Sequence, residues 1–196
     1  MPSTGKLGSE HPIIFKNQRA WEAWMAKHYG SSKGIWLRLA KSSAAFKSLS
    51  YPDALEIALC YGWIDGEKRT YDQESWLQRF IPRGSRSIWS KINRSKAEGL
   101  VREGRMQQPG LAAIERAKQN GQWERAYDSQ RTAAPAKDFE EALNGRPNAK
   151  AFFEMLDSHN RYAILFRIQN AKKPETRRRR IEKFVEMLER HEKLHP

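Results

Sequence analysis

The sequence predicts an α+β fold in which a small three-stranded sheet with helices is followed by a helical C-terminal module. Two observations lead to this prediction. Up to Ile81, helical apolar spacing is interleaved with three segments that alternate like strands. After Pro82 the spacing of apolar residues becomes helical, and no further convincing strand follows. With 39% hydrophobic residues and seven tryptophans, the chain has enough core-forming side chains to fold.

The first part of the chain predicts two helices and three strands. The expected elements are a helix from Asn17 to about His28, a strand over 34–41, a helix starting at Pro52, and strands over 63–71 and 76–81 joined as a hairpin at 72–75. Asn17 is a good helix cap, and Gly30 a good helix stop. Residues 54–61 are apolar almost all round apart from Glu56, so the second helix should be central and buried.

The remainder of the chain predicts helices. We expect them over 87–103, after Pro109, and over 136–143, 148–156, 158–171 and 174–191. Residues 121–135 are rich in polar and small side chains, which is typical of a connector. We therefore predict an α+β domain over 1–130 and a helical domain over 131–196.

Composition favours a cytoplasmic protein. Cys60 is the only cysteine, which excludes an internal disulfide and suits a reducing compartment, and its apolar neighbours indicate a buried structural thiol. The start MPSTGKLGSEHPIIFKNQ has no charged leader followed by a long apolar run, so no export signal and no membrane insertion are expected. The net charge of +13 is spread along the chain without a long basic tail.

The strongest chemical signal is the combination of tryptophans with charged residues between Tyr51 and Asn93. Large aromatic residues supply buried area, whereas arginine and aspartate are rarely buried without a partner. The segment therefore predicts a walled polar pocket. The candidate ligand-binding residues are Trp63, Asp65, Lys68, Arg79, Arg83, Ser85, Arg86, Ser87, Trp89 and Asn93.

The loop PRGSRS over 82–87 supports two interpretations. It precedes a predicted helix, whose unpaired N-terminal amides, together with Arg83 and Arg86, could hold an anion. Alternatively, Ser85 or Ser87 caps that helix while a loop arginine pairs with Asp65 or Glu67. Both interpretations stay open at this point.

Known catalytic patterns give little support for an enzyme. The loop lacks the phosphate-binding GxxxxGK[ST] pattern, and neither GxSxG nor GxGxxG occurs. His191–His195 spell the zinc motif HExxH, but it ends one residue before the terminus, where a helix turn frays, so we interpret it as chance. No metal and no cofactor are expected. An enzyme of unknown class would use Asp65 or Glu56 as a base and Arg83 as an electrostatic stabiliser.

A basic cluster spans the start of the last predicted helix. It consists of Lys172, Lys173 and the four arginines of 177–180. Arg177 lies one turn before Ile181 on the apolar face, so we expect its stem on the core and its guanidinium on a carboxylate or a carbonyl. The other arginines indicate a solvated face, with phosphate contact as the alternative.

Three separated blocks resemble one known family. They are ALCYGWIDG at 58–66, PR followed by SIWSKIN within 82–93, and AKKPETRRRRI at 171–181. Together they resemble the YdeI/OmpD-associated family of bacteriocin-protection proteins, over residues from about Trp21 to Leu188. Tyr61 departs from the phenylalanine usual in that family. The resemblance implies a bacterial role in envelope stress or antimicrobial-peptide tolerance, with porin association suggested by the family name, and no established reaction.

Three functions follow from these observations. The favoured one is a non-catalytic cytoplasmic stress protein that binds an anionic small molecule or an acidic protein partner in the tryptophan and arginine pocket. The second is a regulator that binds nucleic acid weakly and without sequence specificity through its positive charge. The third is the enzyme of unknown class.

Overall fold

The computed structural model describes residues 11–196 and confirms the α+β class. Within these residues the protein has one three-stranded antiparallel sheet and eight helices. Two compact units can be separated: unit 1 comprises residues 11–88 with Asn93–Glu124, and unit 2 comprises Trp89–Ile92 with Arg125–Pro196. The proposed domain boundary after residue 130 stays a prediction.

The predicted elements up to Ile81 are confirmed. They are α1 (Gln18–His28), β1 (Ile35–Ala40), α2 (Tyr51–Cys60), β2 (Trp63–Thr70) and β3 (Ser75–Pro82). The Asn17 side chain caps α1 by accepting a hydrogen bond from the amide of Ala20. Ser50 caps α2 in the same way, with Pro52 in the first turn, where its missing N–H costs nothing.

The sheet has the strand order β1-β3-β2, and one of its faces packs on α1. Phe80 of β3 lies on this face, and its ring centroid is 5.8 Å from that of Trp21 in α1. Trp21 is fully buried, and its indole donates a hydrogen bond to the carbonyl oxygen of Ala54 in α2. This hydrogen bond links α1 to α2, whose side chains are mostly buried, as predicted.

A bulge interrupts the pairing of β2 with β3 between Asp65 and Lys68. Buried Gln78 in β3 stabilises it, because its side-chain amide donates to the carbonyl oxygens of Gly66 and Glu67 at 3.1 and 3.2 Å. These carbonyls would otherwise lose a ladder partner at the bulge.

The start of the third helix is a correction. α3 spans Lys91–Arg102 and does not begin at Ser87 as the sequence suggests. Residues 84–87 form a tight turn instead: the Gly84 amide donates to the Ser87 hydroxyl, and the Ser87 amide donates to the Gly84 carbonyl, both at 3.0 Å. The next helix, α4, spans Gln108–Gln119, as Pro109 indicates.

Unit 2 contains the predicted C-terminal helices. They are α5 (Lys137–Asn144), α6 (Pro147–Met155), α7 (Ser158–Gln169) and α8 (Pro174–Glu189). Their apolar faces form one core, in which Phe139, Ile164 and Leu188 are fully buried. Because α8 ends at Glu189 and His191 has a φ of 56°, the histidines of the HExxH motif do not share a helix turn.

Arg177 occupies the place that the sequence predicts. Its Nε and Nη2 donate to the two carboxylate oxygens of Asp138 at 2.5 and 2.7 Å, and its Nη1 donates to the Ile168 carbonyl at 3.1 Å. The expected carboxylate and carbonyl partners are therefore both confirmed. Arg178 and Arg179 are exposed, also as expected.

Candidate functional site

The candidate ligand-binding residues are distributed over several elements. They lie in β2 (Trp63, Asp65, Lys68), in β3 (Arg79), in the loop after β3 (Arg83, Ser85, Arg86, Ser87), in unit 2 (Trp89) and in α3 (Asn93). Opposed residues of an antiparallel pair point to the same face, and Asp65 opposes Phe80 while Lys68 opposes Gln78. Arg79 lies between these two β3 residues and points to the other face. The register therefore places Arg79 on the sheet face opposite that of Asp65 and Lys68, and the ligand-binding role of each residue stays a prediction.

The tryptophans of the predicted pocket belong mainly to the cores. Trp63 is 1% exposed, and its indole donates to the carbonyl of Tyr29 at 3.0 Å, so it serves packing within unit 1. Trp89 is buried in unit 2. Trp76 is half-buried, with the ammonium of Lys68 4.4 Å from its ring centroid. Tryptophan content therefore indicates core formation more than ligand binding here.

The loop after β3 does not form a helix N-terminus that could hold an anion. The Arg83 side chain is 7% exposed and donates a hydrogen bond to the carbonyl of Ile88 at 3.2 Å. Ser87 closes the turn with Gly84, four residues before α3 begins, so neither Ser85 nor Ser87 caps that helix. Arg86 is exposed.

The acidic residues considered as bases or as arginine partners have other partners. The carboxylate of Asp65 accepts a hydrogen bond from the Tyr51 hydroxyl at 2.8 Å. The two oxygens of Glu56 lie 3.6 Å from the Lys96 ammonium and 3.2 Å from the Arg105 guanidinium. A proton-transfer role for Glu56 would first require release from these cations. Glu67 pairs with Arg69 of its own strand at 2.6 Å.

The structure reveals a different constellation on the sheet face opposite Phe80. We call it the arginine face and define it by Trp36, Arg38, Arg69, Leu77 and Arg79. The register places them together: Trp36 opposes Arg79, and both Arg38 and Arg69 oppose Leu77. The guanidinium carbons of Arg69 and Arg79 lie 4.8 and 5.6 Å from the Trp36 ring centroid. These are cation–π distances, so one buried indole orients two guanidinium groups.

Arg38 extends the arginine face towards the hairpin turn. Its guanidinium carbon lies 5.0 Å from the ring centroid of Phe46 and 4.9 Å from that of Tyr71. Its Nη2 pairs with Asp72 at 2.7 Å, and its Nε donates to the Ser75 hydroxyl at 2.8 Å. These contacts fix the planar side chain in one orientation.

Two carboxylates at the border of the arginine face have lowered pKa values. The pKa of Asp72 lies below its ordinary value chiefly because the Ser75 hydroxyl donates to it, helped by backbone amides and by Arg38. The pKa of Glu67 is lowered mainly by the hydrogen bond from Arg69. Both groups are therefore ionised at neutral pH and hold their arginines in place.

Sequence reasoning missed Trp36, Arg38 and Arg69 as site residues. The signal was the strand GIWLRLAK, in which Trp36 and Arg38 are two residues apart and therefore share a face. Placing Arg69 and Arg79 beside them required the strand order, which puts β3 between β1 and β2.

Fold and site together define a small α+β protein with a cation–aromatic sheet face and a helical second unit. Residues 13–113 match the family described as "Domain of unknown function (DUF8412)", and since this is just over half of the chain, the chain belongs to that family. Residues 133–191 match the family described as "Bacteriocin-protection, YdeI or OmpD-Associated", which confirms the suspected resemblance. The first two sequence blocks lie in the former match and the third in the latter.

The other comparisons add no relative. No curated protein and no solved structure matches the chain. Among residues 11–196, no helix has both the length and the apolar character needed to cross a membrane. Within the same residues, no cluster of three or more histidine, cysteine, aspartate or glutamate side chains could hold a metal ion.

Proposed function

We propose that this chain is a non-catalytic cytoplasmic protein of the bacteriocin-protection type that binds an acidic protein segment on its arginine face. The match of residues 133–191 supports a role in bacteriocin protection at the level of the family. The arginine face lies in the part of the chain that matches the domain of unknown function. It therefore adds a recognition surface that the family description does not name.

The carrying observation is the pair of guanidinium groups held over Trp36. A guanidinium group has five N–H donors, so Arg69, which gives two of them to Glu67, keeps three for the carboxylate of a partner. Because its orientation is fixed, it loses less side-chain entropy on binding than a flexible lysine would. The exposed fractions of the Arg38 and Arg69 side chains are 27% and 34%, so both present part of their surface to solvent. Carboxylates of a partner could approach them.

An acidic protein segment fits the arginine face better than nucleic acid does. Proteins that bind single strands through a sheet offer exposed aromatic rings on which bases stack. Trp36 is only 2% exposed, and its ring is already covered by Arg69 and Arg79. Tyr71, which is 47% exposed, lies beside the hairpin turn and offers one ring. Recognition of a carboxylate by arginines needs no exposed aromatic ring.

The arginine face also suits a partner chain better than a small molecule. Small ligands are usually enclosed by a concave pocket, whereas these side chains project from three neighbouring strands. Arginine is among the residues enriched at protein interfaces. An extended acidic segment lying across the strands would meet Arg69, Arg38 and Arg79 together.

Binding of a fluorescent Glu-Ala repeat peptide, followed by anisotropy, tests this proposal on the full chain. We expect Arg69→Gln combined with Arg79→Gln to weaken binding by about tenfold or more, since each lost charged hydrogen bond is worth at least about 1.5 kcal/mol. Arg69→Lys with Arg79→Lys retains the charge but not the fork and should weaken binding by a smaller factor. Circular dichroism would verify that each variant is folded.

A matched control removes two exposed charges elsewhere in unit 1. Arg116→Gln with Lys118→Gln changes the net charge equally on α4, and we expect less than a twofold effect. Equal weakening by both double variants would reduce the proposal to general electrostatics. Tighter binding of a single-stranded oligonucleotide than of the peptide, lost in the same variants, would favour nucleic acid instead.

A further inference from the structure

We infer that a cleft in unit 2 binds a small organic oxyanion with an apolar body. The cleft has a volume of about 290 Å³ and is lined by the connector before α5 and by residues of α6 and α7. Its charged side chains are Arg131 and Arg161, and Phe153 and Leu165 contribute apolar surface. All these residues belong to unit 2, so the inference is independent of the acidic segment proposed for unit 1.

The charge of the cleft is uncompensated. Its lining contains two arginines and no carboxylate side chain. Neither Arg131 nor Arg161 forms an ion pair with another of the described residues, and both are exposed, so both can turn towards a ligand. The side chain of Arg161 has one weak contact, 3.5 Å from the carbonyl oxygen of Glu154. An oxyanion between the two guanidinium groups would provide the missing negative charge.

The carboxylate of Asp157, next to Ser158 of the cleft, is engaged in capping α7. Asp157 caps α7, and its oxygens accept hydrogen bonds from the backbone amide and the side-chain amide of Asn160 at 2.9 and 2.8 Å. These bonds lower its pKa to about 2. Asp157 is thus ionised but engaged, and it does not line the cleft.

Polar groups of the cleft can complete the recognition of an oxyanion. The Ser158 hydroxyl accepts a hydrogen bond from the side-chain amide of Gln130 at 3.1 Å, which leaves its own hydrogen to donate. The Tyr162 hydroxyl donates to the carbonyl oxygen of Asp128 at 3.0 Å, which fixes its ring in the wall. The donors are thus two guanidinium groups and one hydroxyl.

The remaining wall of the cleft selects an apolar body. Phe153 is 6% exposed, and Pro135 and Leu165 are half-buried. The volume of about 290 Å³ lies at the lower end of the range for ligand sites, so the cleft suits a ligand smaller than most drug-sized molecules. A second cleft shares Pro135 and Phe153 but includes Glu140 and Glu154, which makes it unsuitable for an anion.

Isothermal titration of the full chain with phenyl phosphate tests the inference. We expect binding that weakens about tenfold or more in Arg131→Gln combined with Arg161→Gln. The matched control is Arg178→Gln with Arg179→Gln, two exposed arginines of unit 2 that do not line the cleft. It should change binding by less than twofold.

Two neutral or truncated probes test the chemistry of the ligand. Benzyl alcohol lacks the charge and inorganic phosphate lacks the ring, so both should bind at least about tenfold more weakly than phenyl phosphate. Benzoate separates the two oxyanions: tighter binding of phenyl phosphate assigns a phosphate, and tighter binding of benzoate assigns a carboxylate.

Three results would overturn the inference. The first is that neither phenyl phosphate nor benzoate gives a heat of binding at ligand concentrations up to about 10 mM, because the affinity would then be negligible. The second is equal weakening in both double variants, which would show that only net charge acts. The third is inorganic phosphate binding as tightly as phenyl phosphate, because the apolar wall would then contribute nothing.

Discussion

Replacing Arg177 with alanine should destabilise the protein by about 1 to 3 kcal/mol. The side chain makes three hydrogen bonds, two to the Asp138 carboxylate and one to the Ile168 carbonyl. Its stem also lies one turn before buried Ile181 on α8. The change removes the bonds and this packing together, while Asp138 returns to solvent.

The partial exposure of the Arg177–Asp138 pair places the expected loss of unfolding free energy between the values for a buried and for an exposed ion pair. The exposed fractions of the Arg177 and Asp138 side chains are 25% and 47%, so solvent screens part of the ion pair. Breaking a fully buried pair costs about 3 to 5 kcal/mol, and an exposed pair contributes about 0 to 1 kcal/mol. The Ile168 carbonyl also loses its hydrogen-bond donor, so the expected loss of stability exceeds that of an exposed ion pair.

Urea denaturation followed by circular dichroism at pH 7 measures the loss. The comparison is Arg178→Ala with Arg179→Ala, which should cost less than about 1 kcal/mol because both side chains are exposed. A larger loss in this double variant than in Arg177→Ala would refute the reasoning and move the arginine run from the surface to a core or an interface.

The pH dependence provides an independent check of the same contact. Arg177 lowers the pKa of Asp138 in the folded protein, chiefly through its hydrogen bonds. The resulting stabilisation is present above the ordinary carboxyl pKa of about 3.9 and is lost as the pH falls through the lowered value. The difference in unfolding free energy between the wild type and Arg177→Ala should therefore become smaller as the pH falls below about 3.9.

Three further changes have definite expected outcomes. Asn17→Ala should cost about 1 kcal/mol in urea denaturation, because the side chain accepts a 3.0 Å hydrogen bond from the Ala20 amide at the start of α1. Gly62→Ala should cost about 2 kcal/mol or more by the same measurement, since φ is +72° and the added Cβ would lie 2.6 Å from the Pro109 carbonyl oxygen; an unchanged midpoint would contradict the strain. Cys60 has a pKa raised to about 11 by burial, so at pH 8 a disulfide reagent should label the native thiol roughly a hundredfold more slowly than the urea-unfolded thiol, and equal rates would show that the thiol is accessible.

Much of the fold could be predicted because its local signals agree with its packing. Asn17 and Pro52 mark helix starts, and each helix then buries the apolar face that its spacing indicates. The position of Arg177 follows from the sequence because a residue one turn before Ile181 shares its side of the helix. The start of α3 does not follow from the sequence, because Ser87 is equally suited to cap a helix or to close a turn.

The candidate site was less predictable because it depends on strand order. The sequence brings Asp65 and Arg79 close along the chain, but the register directs them to opposite sheet faces. Trp36 and Arg69 are far apart in the sequence and meet only because β3 lies between β1 and β2. Neither relation is encoded in local spacing.

We propose that unit 1 and unit 2 recognise different anions through separate arginines. Two-dimensional ¹H–¹⁵N NMR of the full chain, titrated in turn with the Glu-Ala peptide and with phenyl phosphate, tests it most directly. We predict peptide-induced shifts around Trp36, Arg69 and Arg79, and phenyl phosphate shifts around Arg131 and Arg161. Shifts from both probes at one common set of residues would contradict the claim.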